Sequence, residues 1–353
     1  MLKKLVSLMT ILVIVLSFTA CSGNAQKTNA EAETTASTAS TETSAATEVP
    51  SLTPTPAAAS DFVLPEKGVR PVAVMIDNEG TRSLPQGGMY KAQVVYEIIV
   101  EGGETRLMPV FWGTDVDMIG PVRSSRHYFL DYVLENDAIY VHYGWSPRAQ
   151  KDIPKLGINN INGVANSGGI FHDLTKDRSN WQDSYTTMQK ILDYSKKVKY
   201  RLTTEKEPVF SYNSSDAVFL DGSGASKVTL RFSQSYTCAF EYDQASGLYN
   251  RFRKGKPHME RNTDKQLTAK NILIQVTPSS SISGDDKGRQ EVSTVGKGSG
   301  YLISGGKAVK IKWSKASRSA ATKYTYEDGT AISLNPGQTW VEILPVYGKV
   351  TLE

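Results

Sequence analysis

The chain has 353 residues, and its 40 basic and 36 acidic side chains leave a formal net charge of +4 at pH 7. A charge this close to balance, with no clustered basic stretch, excludes a nucleic-acid-binding protein of the usual basic kind. The two cysteines, Cys21 and Cys238, exclude a disulfide framework if Cys21 is modified. The histidines and acids show none of the spacings typical of metal or cofactor sites, so we expect neither a metal nor a cofactor.

Residues 1–20 are predicted to be a lipoprotein signal peptide. Two lysines precede an apolar run that ends at Ala20 and is too short to span a bilayer. Cys21 follows directly in a lipobox-like context, with Phe18 where leucine is usual. We therefore predict that Cys21 is diacylated and anchors the protein in the lipid bilayer, on the extracytoplasmic side of the cell membrane. The alternative is ordinary secretion with an unmodified Cys21.

Residues 21–60 are predicted to be a disordered linker. The segment consists mainly of Ser, Thr, Ala, Glu and Pro and has no aromatic residue, so it cannot bury enough surface to offset its ordering entropy. The ordered body is expected to begin near Asp61. Its length predicts two domains, which we place at 61–206 and 207–353.

The predicted fold class is α+β, with a mixed-sheet N-terminal domain and a mainly antiparallel β domain after it. In the first domain, the β-type runs Val94 to Val100 and Arg106 to Trp112 are joined by Glu101-Gly102-Gly103-Glu104, which is typical of a tight hairpin. After residue 206, short alternating runs separated by turn residues indicate antiparallel strands.

About three helices are predicted in the first domain. A serine can cap each of the first two, the second has proline in its first turn, and Thr186 to Gln189 have capping-box order at the start of the third. The predicted helices run from Ser124 or Ser125 to about Glu135, from Ser146 to about Leu156, and from Tyr185 to Tyr200.

Ionisable residues gather where predicted strands end, and polar groups held on a rigid sheet are typical of a binding site. The candidate ligand-binding residues are Asp77, Glu97, Glu101, Arg106, Arg123, Arg126 and His142. Arg123 and Arg126 are the sharpest feature, because guanidinium forks bind phosphate or carboxylate and both lie beside a predicted helix start. The alternative is a structural ion network between these arginines and the acidic residues.

Several segments resemble the YerB-like lipoprotein family, and together they extend from about Val69 to Pro345. They are RPVAVMIDN, VVYEIIVEGGETRLMPVF, IGPVRSSRHYFLDY and AIYVHYGWSP, followed by GYLISGGKAVKIKW and ISLNPGQTWVEILP. The resemblance implies a two-part extracytoplasmic lipoprotein. Family members tend to carry Arg-x-x-Pro-His-Asn-x-Tyr, and this chain keeps Arg178 and Tyr185 but has Gln182 in place of the histidine.

The leading functional hypothesis is a membrane-anchored binding or accessory protein of the cell envelope, with a polar groove lined by arginines and acids in the N-terminal domain. Its expected partner, besides the bilayer, is an anionic envelope polymer or an envelope protein. The alternative is a hydrolase or transferase that acts on an envelope glycopolymer and uses Asp77 or Glu101 as acid or base. Because the sequence assigns no catalytic residue, both hypotheses stay open at this point.

Overall fold

The computed structural model describes residues 62–165, 169–175, 177, 179–180, 182–219 and 222–353. The predicted signal peptide (1–20), the predicted linker (21–60) with Cys21, and Asp61 lie outside the described residues, as does Arg178. The described residues all belong to the unit Ala57–Glu353. They form an α+β fold, which confirms the predicted class.

Within the described ranges there are three α-helices, α1 (Phe129–Glu135), α2 (Pro147–Lys155) and α3 (Met188–Lys197), and two 3₁₀ turns, Met89–Lys91 and Glu101–Gly103. The strands of the N-terminal part are β1 (Gly68–Val69), β2 (Val72–Val74), β3 (Ile76–Asp77), β4 (Val94–Ile99), β5 (Thr105–Phe111), β6 (Ile139–His142), β7 (Asn160–Asn162), β8 (His172–Asp173), β9 (Ser184–Tyr185) and β10 (Thr203–Thr204). Among these described helices, none is long and apolar enough to cross a bilayer.

The strands of the C-terminal part are β11 (Ser223–Gly224), β12 (Lys227–Arg231), β13 (Thr237–Asp243), β14 (Leu248–Arg253), β15 (Lys256–Pro257), β16 (Thr268–Ala269), β17 (Asn271–Thr277), β18 (Ser279–Ser281), β19 (Gln290–Val292), β20 (Gly296–Ser304), β21 (Lys307–Lys315), β22 (Lys323–Tyr326), β23 (Thr339–Pro345) and β24 (Lys349–Leu352).

The main sheet contains strands from both parts of the chain. Its strand order is β11-β21-β20-β17-β23-β4-β5-β2-β6-β7, with β22 beside β21 and β3 beside β5. Strand β23 runs parallel to β4 on one side and to β17 on the other, so a C-terminal strand pairs directly with an N-terminal one. The division into domains 61–206 and 207–353 stays a prediction, and the main sheet crosses the proposed border.

A second, antiparallel sheet packs on the main sheet in the order β15-β14-β13-β12-β24, with β16 beside β14. Phe240 of β13 meets Trp340 of β23, and their ring centroids lie 6.1 Å apart. Every residue of β4 and β23 is buried, as expected for central strands that are covered on both faces. Part of the core therefore lies between the two sheets, and charged side chains on β4 or β23 are enclosed there.

The predicted hairpin at Glu101–Glu104 is confirmed. Strands β4 and β5 pair antiparallel, and the φ angles of Gly102 and Gly103 are 68° and 73°. This left-handed region is open to glycine without steric cost, which is why the two glycines suit the turn. The hairpin holds Glu101 at the end of β4.

The capping residues in the sequence predict the position of α2 correctly and that of α3 approximately. The Ala149 N–H donates to Ser146 Oγ over 3.3 Å, as the Ser-Pro start signal predicts. Helix α3 is shorter than predicted, because the Lys190 N–H donates to Oγ1 of Thr187 and this residue caps the helix. Thr186 instead pairs its backbone with Ile119.

The predicted start of the first helix at Ser124 or Ser125 is wrong. Helix α1 begins at Phe129, because the two serines lie in an extended segment that pairs with the loop after β6. The Ser125 N–H donates to the carbonyl of Gly144 over 3.0 Å, and the Ser124 hydroxyl donates to the carbonyl of Tyr143 over 2.9 Å. Neither serine is available as a helix cap.

Candidate functional site

Three neighbouring parallel strands, β2, β6 and β7, end at the same edge of the main sheet. The extended segment 122–125 runs between the ends of β2 and β6. The Arg123 N–H donates to the carbonyl of Met75 over 2.8 Å, and the Tyr143 N–H donates to the carbonyl of Arg123 over 2.9 Å. These backbone contacts hold Arg123 at the carboxyl end of parallel strands, where open sheets commonly bind ligands.

Asp77, at the end of β3, is fully buried and makes several hydrogen bonds. Its Oδ2 accepts from Nε of Arg123 at 3.1 Å and from Nε2 of Gln182 at 2.8 Å, and its Oδ1 accepts from the Glu79 N–H at 3.1 Å. Gln182, the residue that replaces the histidine of the family pattern, thus contacts a predicted site residue. Both oxygens of Asp77 already accept from donors within the chain.

Glu101 and Arg126 form a bidentate pair at the hairpin end of β4. Nε of Arg126 donates to Oε1 over 2.6 Å, and Nη2 donates to Oε2 over 2.8 Å. Burial opposes ionisation of Glu101, but the hydrogen bonds and charge of Arg126 outweigh it and lower the pKa of Glu101. The carboxylate is therefore ionised at neutral pH and holds Arg126 in place.

Arg106 lies between these two ion pairs and is only 3% exposed. One Nη donates to the carbonyl of Ser124 over 2.5 Å, whereas Nε has no hydrogen-bond partner among the described residues. Burial and the charge of Arg126 lower the pKa of Arg106 to about 10. The structure therefore brings together five predicted residues: Asp77, Glu101, Arg106, Arg123 and Arg126.

A cleft of about 240 Å³ opens beside Arg126, and we refer to it as the basic cleft. Its lining residues are Arg126, His127, Ser146, Pro147, Arg148, Ile282, Asp285, Arg289, Gln290 and Glu291. The first five come from the N-terminal part, and the other five come from β19 and the loop before it. The cleft thus combines both parts of the chain, whereas the sequence predicts a groove within the N-terminal domain.

The charged groups of the basic cleft are paired, but several are exposed. Glu291 contacts Arg148, and its Oε2 lies 3.2 Å from Nε2 of His127. Arg289 donates to Asp285 over 2.8 Å, and its Nε lies 4.0 Å from Oε1 of Glu101. The side chains of Arg148 and Glu291 are 53% and 41% exposed, so water reaches this pair.

His142, another predicted site residue, lies inside the fold. It is fully buried, with Nδ1 2.8 Å from the carbonyl of Gly144 and Nε2 3.1 Å from Oδ1 of Asn160. Burial lowers the pKa of His142 to about 4. The imidazole is therefore neutral at physiological pH and links the last residue of β6 to the first residue of β7.

Glu97 is separated from the other candidates, because its side chain points between the two sheets. It contacts Arg251 of β14 and accepts from Oγ1 of Thr105 over 2.5 Å. Glu342 and Cys238 lie beside it, and the possible ligand atoms of these three residues are within 4.8 Å of one another. We call Glu97, Cys238, Arg251 and Glu342 the buried cluster, since all four are 0% exposed.

The buried cluster is held together by Arg251. Burial opposes ionisation of Glu97, but the charge of Arg251 outweighs it and lowers the pKa of Glu97. Burial and the charge of Glu97 instead raise the pKa of Glu342, and no donor among the described residues reaches either Glu342 oxygen. The pair is therefore best described as a protonated Glu342 beside an ionised Glu97, with Arg251 as the counter-charge.

The sequence reading missed Arg251, Glu342 and the cleft residues Arg148 and Arg289. For Arg251 a signal existed, because the run LYNRFR of β14 alternates and places Arg251 on the same face as Tyr249. For Glu342 a carboxylate stands inside the apolar run TWVEILP. Arg148 and Arg289 give no such signal, since they are far apart in sequence and meet only through the fold.

Comparison with known proteins places the chain in a family. Residues 59–201 match "Protein of unknown function (DUF3048) N-terminal domain", and residues 228–341 match its C-terminal domain. "Putative lipoprotein YerB" of Bacillus subtilis is 31% identical over 279 residues, which cover 78% of this chain and 81% of YerB. The crystal structure of Bacillus subtilis YerB is similar with a TM-score of 0.70 and 26% identity, covering 81% of this chain and 94% of that one. The resemblance seen in the sequence is thereby confirmed. Because the chain matches both the N-terminal and the C-terminal domain of the DUF3048 family, it belongs to that family.

Proposed function

We propose that this protein is a membrane-anchored extracytoplasmic binding protein of the cell envelope, and that it holds an anionic group of an envelope polymer in the basic cleft. The observation that carries the proposal is the convergence of Arg126, Arg148 and Arg289 on one cleft of about 240 Å³. Guanidinium groups bind carboxylates and phosphates through paired hydrogen bonds. A repeating anionic polymer is the partner that such a cleft suits.

The proposed location at the membrane is supported by the N-terminal residues of the chain. Residues 1–20 have the pattern of a lipoprotein signal peptide, Cys21 stands at its cleavage point, and the YerB relative is named as a lipoprotein. Two acyl chains on Cys21 are enough for stable anchoring. The linker 21–60 would then let the folded unit reach polymer that is distant from the membrane surface.

The charges of the site favour binding over hydrolysis or group transfer. A general acid needs a proton at neutral pH, whereas Arg126 lowers the pKa of Glu101. Asp77 already accepts hydrogen bonds from Arg123 and Gln182. Glu101 is paired with Arg126, and Asp77 is buried with both oxygens occupied, so the catalytic alternative lacks a supporting observation.

A titration tests the proposal directly. The full-length protein in detergent micelles should bind oligomers of glucuronate or of glycerol phosphate at low salt, as measured by calorimetry. Arg148→Gln should weaken binding roughly tenfold or more, because it removes a charged hydrogen-bond donor from the cleft. Arg201→Gln is the matched control, since Arg201 is 51% exposed and also pairs with a carboxylate, that of Asp137. Absence of binding by the parent, or an equal loss in the control, would contradict the proposal.

The anchor is tested by replacing the predicted lipidation site. Cys21→Ala should release the protein from the membrane fraction, while thermal melting of the folded unit stays unchanged because the linker separates anchor and body. Retention of the variant in membranes at the parent's level would remove the lipoprotein part of the proposal.

A further inference from the structure

The hairpin formed by β18 and β19 carries an acidic side chain into the basic cleft. Its two strands pair only with each other, in the register Ser280 to Glu291, and form a small sheet apart from the two large ones. At its base, the Ser293 N–H donates to the carbonyl of Pro278 over 2.9 Å, and the Thr277 hydroxyl donates to the carbonyl of Ser293 over 2.6 Å. The hairpin is therefore attached firmly at its base and pairs with neither large sheet.

The carboxylate of Glu291 lies in the basic cleft against two of its nitrogen-bearing side chains. It contacts Arg148, and its Oε2 lies 3.2 Å from Nε2 of His127. His127 is 4% exposed, yet within the described chain its Nε2 makes no hydrogen bond, because Glu291 does not approach it in a suitable direction. A buried ring nitrogen that lines a cleft without a hydrogen-bond partner indicates that a better-placed polar group completes the site.

The contacts that Glu291 and Arg289 make across the cleft are weak. Glu291 and Arg148 are each at least two-fifths exposed, and Nε of Arg289 is 4.0 Å from Glu101. Exposed ion pairs of this kind stabilise a structure only slightly. An external anion can therefore replace Glu291 without disturbing the main sheets.

The charge that remains after Glu291 leaves indicates the class of ligand. Arg126 pairs with Glu101, and Arg289 pairs with Asp285 and Asp286, whereas Arg148 loses its carboxylate partner when Glu291 leaves. Burial, and then the charge of Arg148, lower the pKa of His127, so the imidazole adds no charge at neutral pH. The vacated cleft thus leaves the charge of Arg148 for one singly charged anion, and the carboxylate of Glu291, which the cleft already holds, indicates that this anion is a carboxylate.

We infer that Glu291 is an internal carboxylate that closes the basic cleft, and that a carboxylate-bearing glycopolymer displaces it and releases the β18–β19 hairpin. This inference rests on the proposed function and specifies both its ligand class and its regulation. Glu291 is then a competitor of the ligand, and the free energy of its contacts reduces the apparent affinity.

The experiment compares three full-length proteins in detergent micelles: the parent, Glu291→Gln and Glu241→Gln. Both variants remove one negative charge from an exposed ion pair, but Glu241 pairs with Lys227 outside the basic cleft, and both of these side chains are 43% exposed. Glu291→Gln should bind a glucuronate oligomer roughly two- to fivefold more tightly than the parent, which is the scale of one exposed ion pair. Amide hydrogen exchange in residues 279–292 should also be faster in Glu291→Gln, and unchanged in Glu241→Gln.

The possible outcomes distinguish a failure of the inference about Glu291 from a failure of the proposed function. If the parent binds but the two variants gain affinity equally, or if hairpin exchange is the same in Glu291→Gln and the parent, the closing role of Glu291 is overturned while the binding function stands. If a glycerol phosphate oligomer displaces bound glucuronate at lower concentration, the carboxylate class is overturned. If no protein binds either oligomer at low salt, the proposed function itself fails.

Discussion

The buried cluster and the basic cleft are built from the same chemical groups and differ in their access to water. Arg251, Glu97 and Glu342 are 0% exposed between the two sheets, whereas Arg148 and Glu291 are 53% and 41% exposed. A charge in the buried cluster must be compensated by the fold itself, because no solvent can replace a lost partner. A charge in the cleft can exchange its partner for water or for a ligand.

This difference separates structural charges from functional ones. In the buried cluster, removal of one partner leaves an uncompensated charge in the core. In the cleft, removal of one partner leaves a hydrated side chain whose main effect is on binding. Burial of the paired groups, more than their identity, therefore decides whether stability or affinity responds to a substitution.

The largest expected effect comes from Arg251. Arg251→Leu should destabilise the protein by about 3–5 kcal/mol, because it leaves the ionised Glu97 buried without a counter-charge. It also removes the guanidinium that lies 4.2 Å above the ring centre of Trp340. Chemical denaturation measures the change, and Arg231→Leu, at the exposed end of β12 in the same sheet, is the control. A loss no larger than that of the control would show that the buried cluster does not depend on Arg251.

The next effect concerns Glu342 and depends on pH. The fold raises the pKa of Glu342, so the folded state keeps a proton that the unfolded chain releases above its ordinary pKa. This contribution to stability is complete below about pH 4 and declines as pH rises, by about 1.4 kcal/mol per pH unit, until Glu342 ionises in the fold. Glu342→Gln, which stays neutral, should remove this decline.

Denaturation curves of the parent and Glu342→Gln between pH 5 and pH 8 test this expectation. The variant should gain stability relative to the parent as pH rises, whereas the lowered pKa of Glu97 acts only at lower pH and does not interfere. Parallel curves for the two proteins would contradict the assignment of the proton to Glu342.

The pair of Arg126 and Glu101 is intermediate in exposure between the buried cluster and the pair of Arg148 and Glu291, since its side chains are 11% and 19% exposed. Arg126→Gln should cost about 1–3 kcal/mol, the range for hydrogen bonds to a charged group. The pKa of Glu101 is lowered in the fold, so this stabilisation is present above its ordinary pKa and is lost as pH falls. The deficit of the variant, measured by denaturation, should therefore shrink below about pH 4. A deficit that is constant with pH would mean that packing, and not the ion pair, is lost.

Local chemistry was predictable from sequence. The glycines at 102 and 103 and the Ser146 cap act within a few residues, and both predictions are confirmed. The predicted start of α1 was wrong because Ser124 and Ser125 form hydrogen bonds with residues about twenty positions away. Pairing of β23 with β4 joins segments more than two hundred residues apart, and no local pattern encodes it.

The candidate site was predictable in composition and only partly in position. Asp77, Glu97 and Glu101 all lie within or at the ends of apolar strands, so the sequence pattern does not distinguish a buried structural carboxylate from one at a binding site. The structure separates them, because the second sheet covers the face on which Glu97 lies. Alternation in β14 could have identified Arg251 as its partner, whereas the approach of Glu291 to Arg148 depends on how a distant hairpin folds back.

The smallest expected effect on stability comes from Arg148. Its pair with Glu291 is exposed, so Arg148→Gln should change the free energy of unfolding by less than about 1 kcal/mol, and salt near 1 M should remove even that difference by screening. The same substitution should weaken anion binding roughly tenfold, since a ligand in the cleft would be less hydrated than Glu291 is now. Denaturation and titration of one protein sample measure both quantities. A variant that loses several kcal/mol of stability would place Arg148 with Arg251 as a structural charge, and the distinction between the cleft and the buried cluster would then fail where it is expected to be clearest.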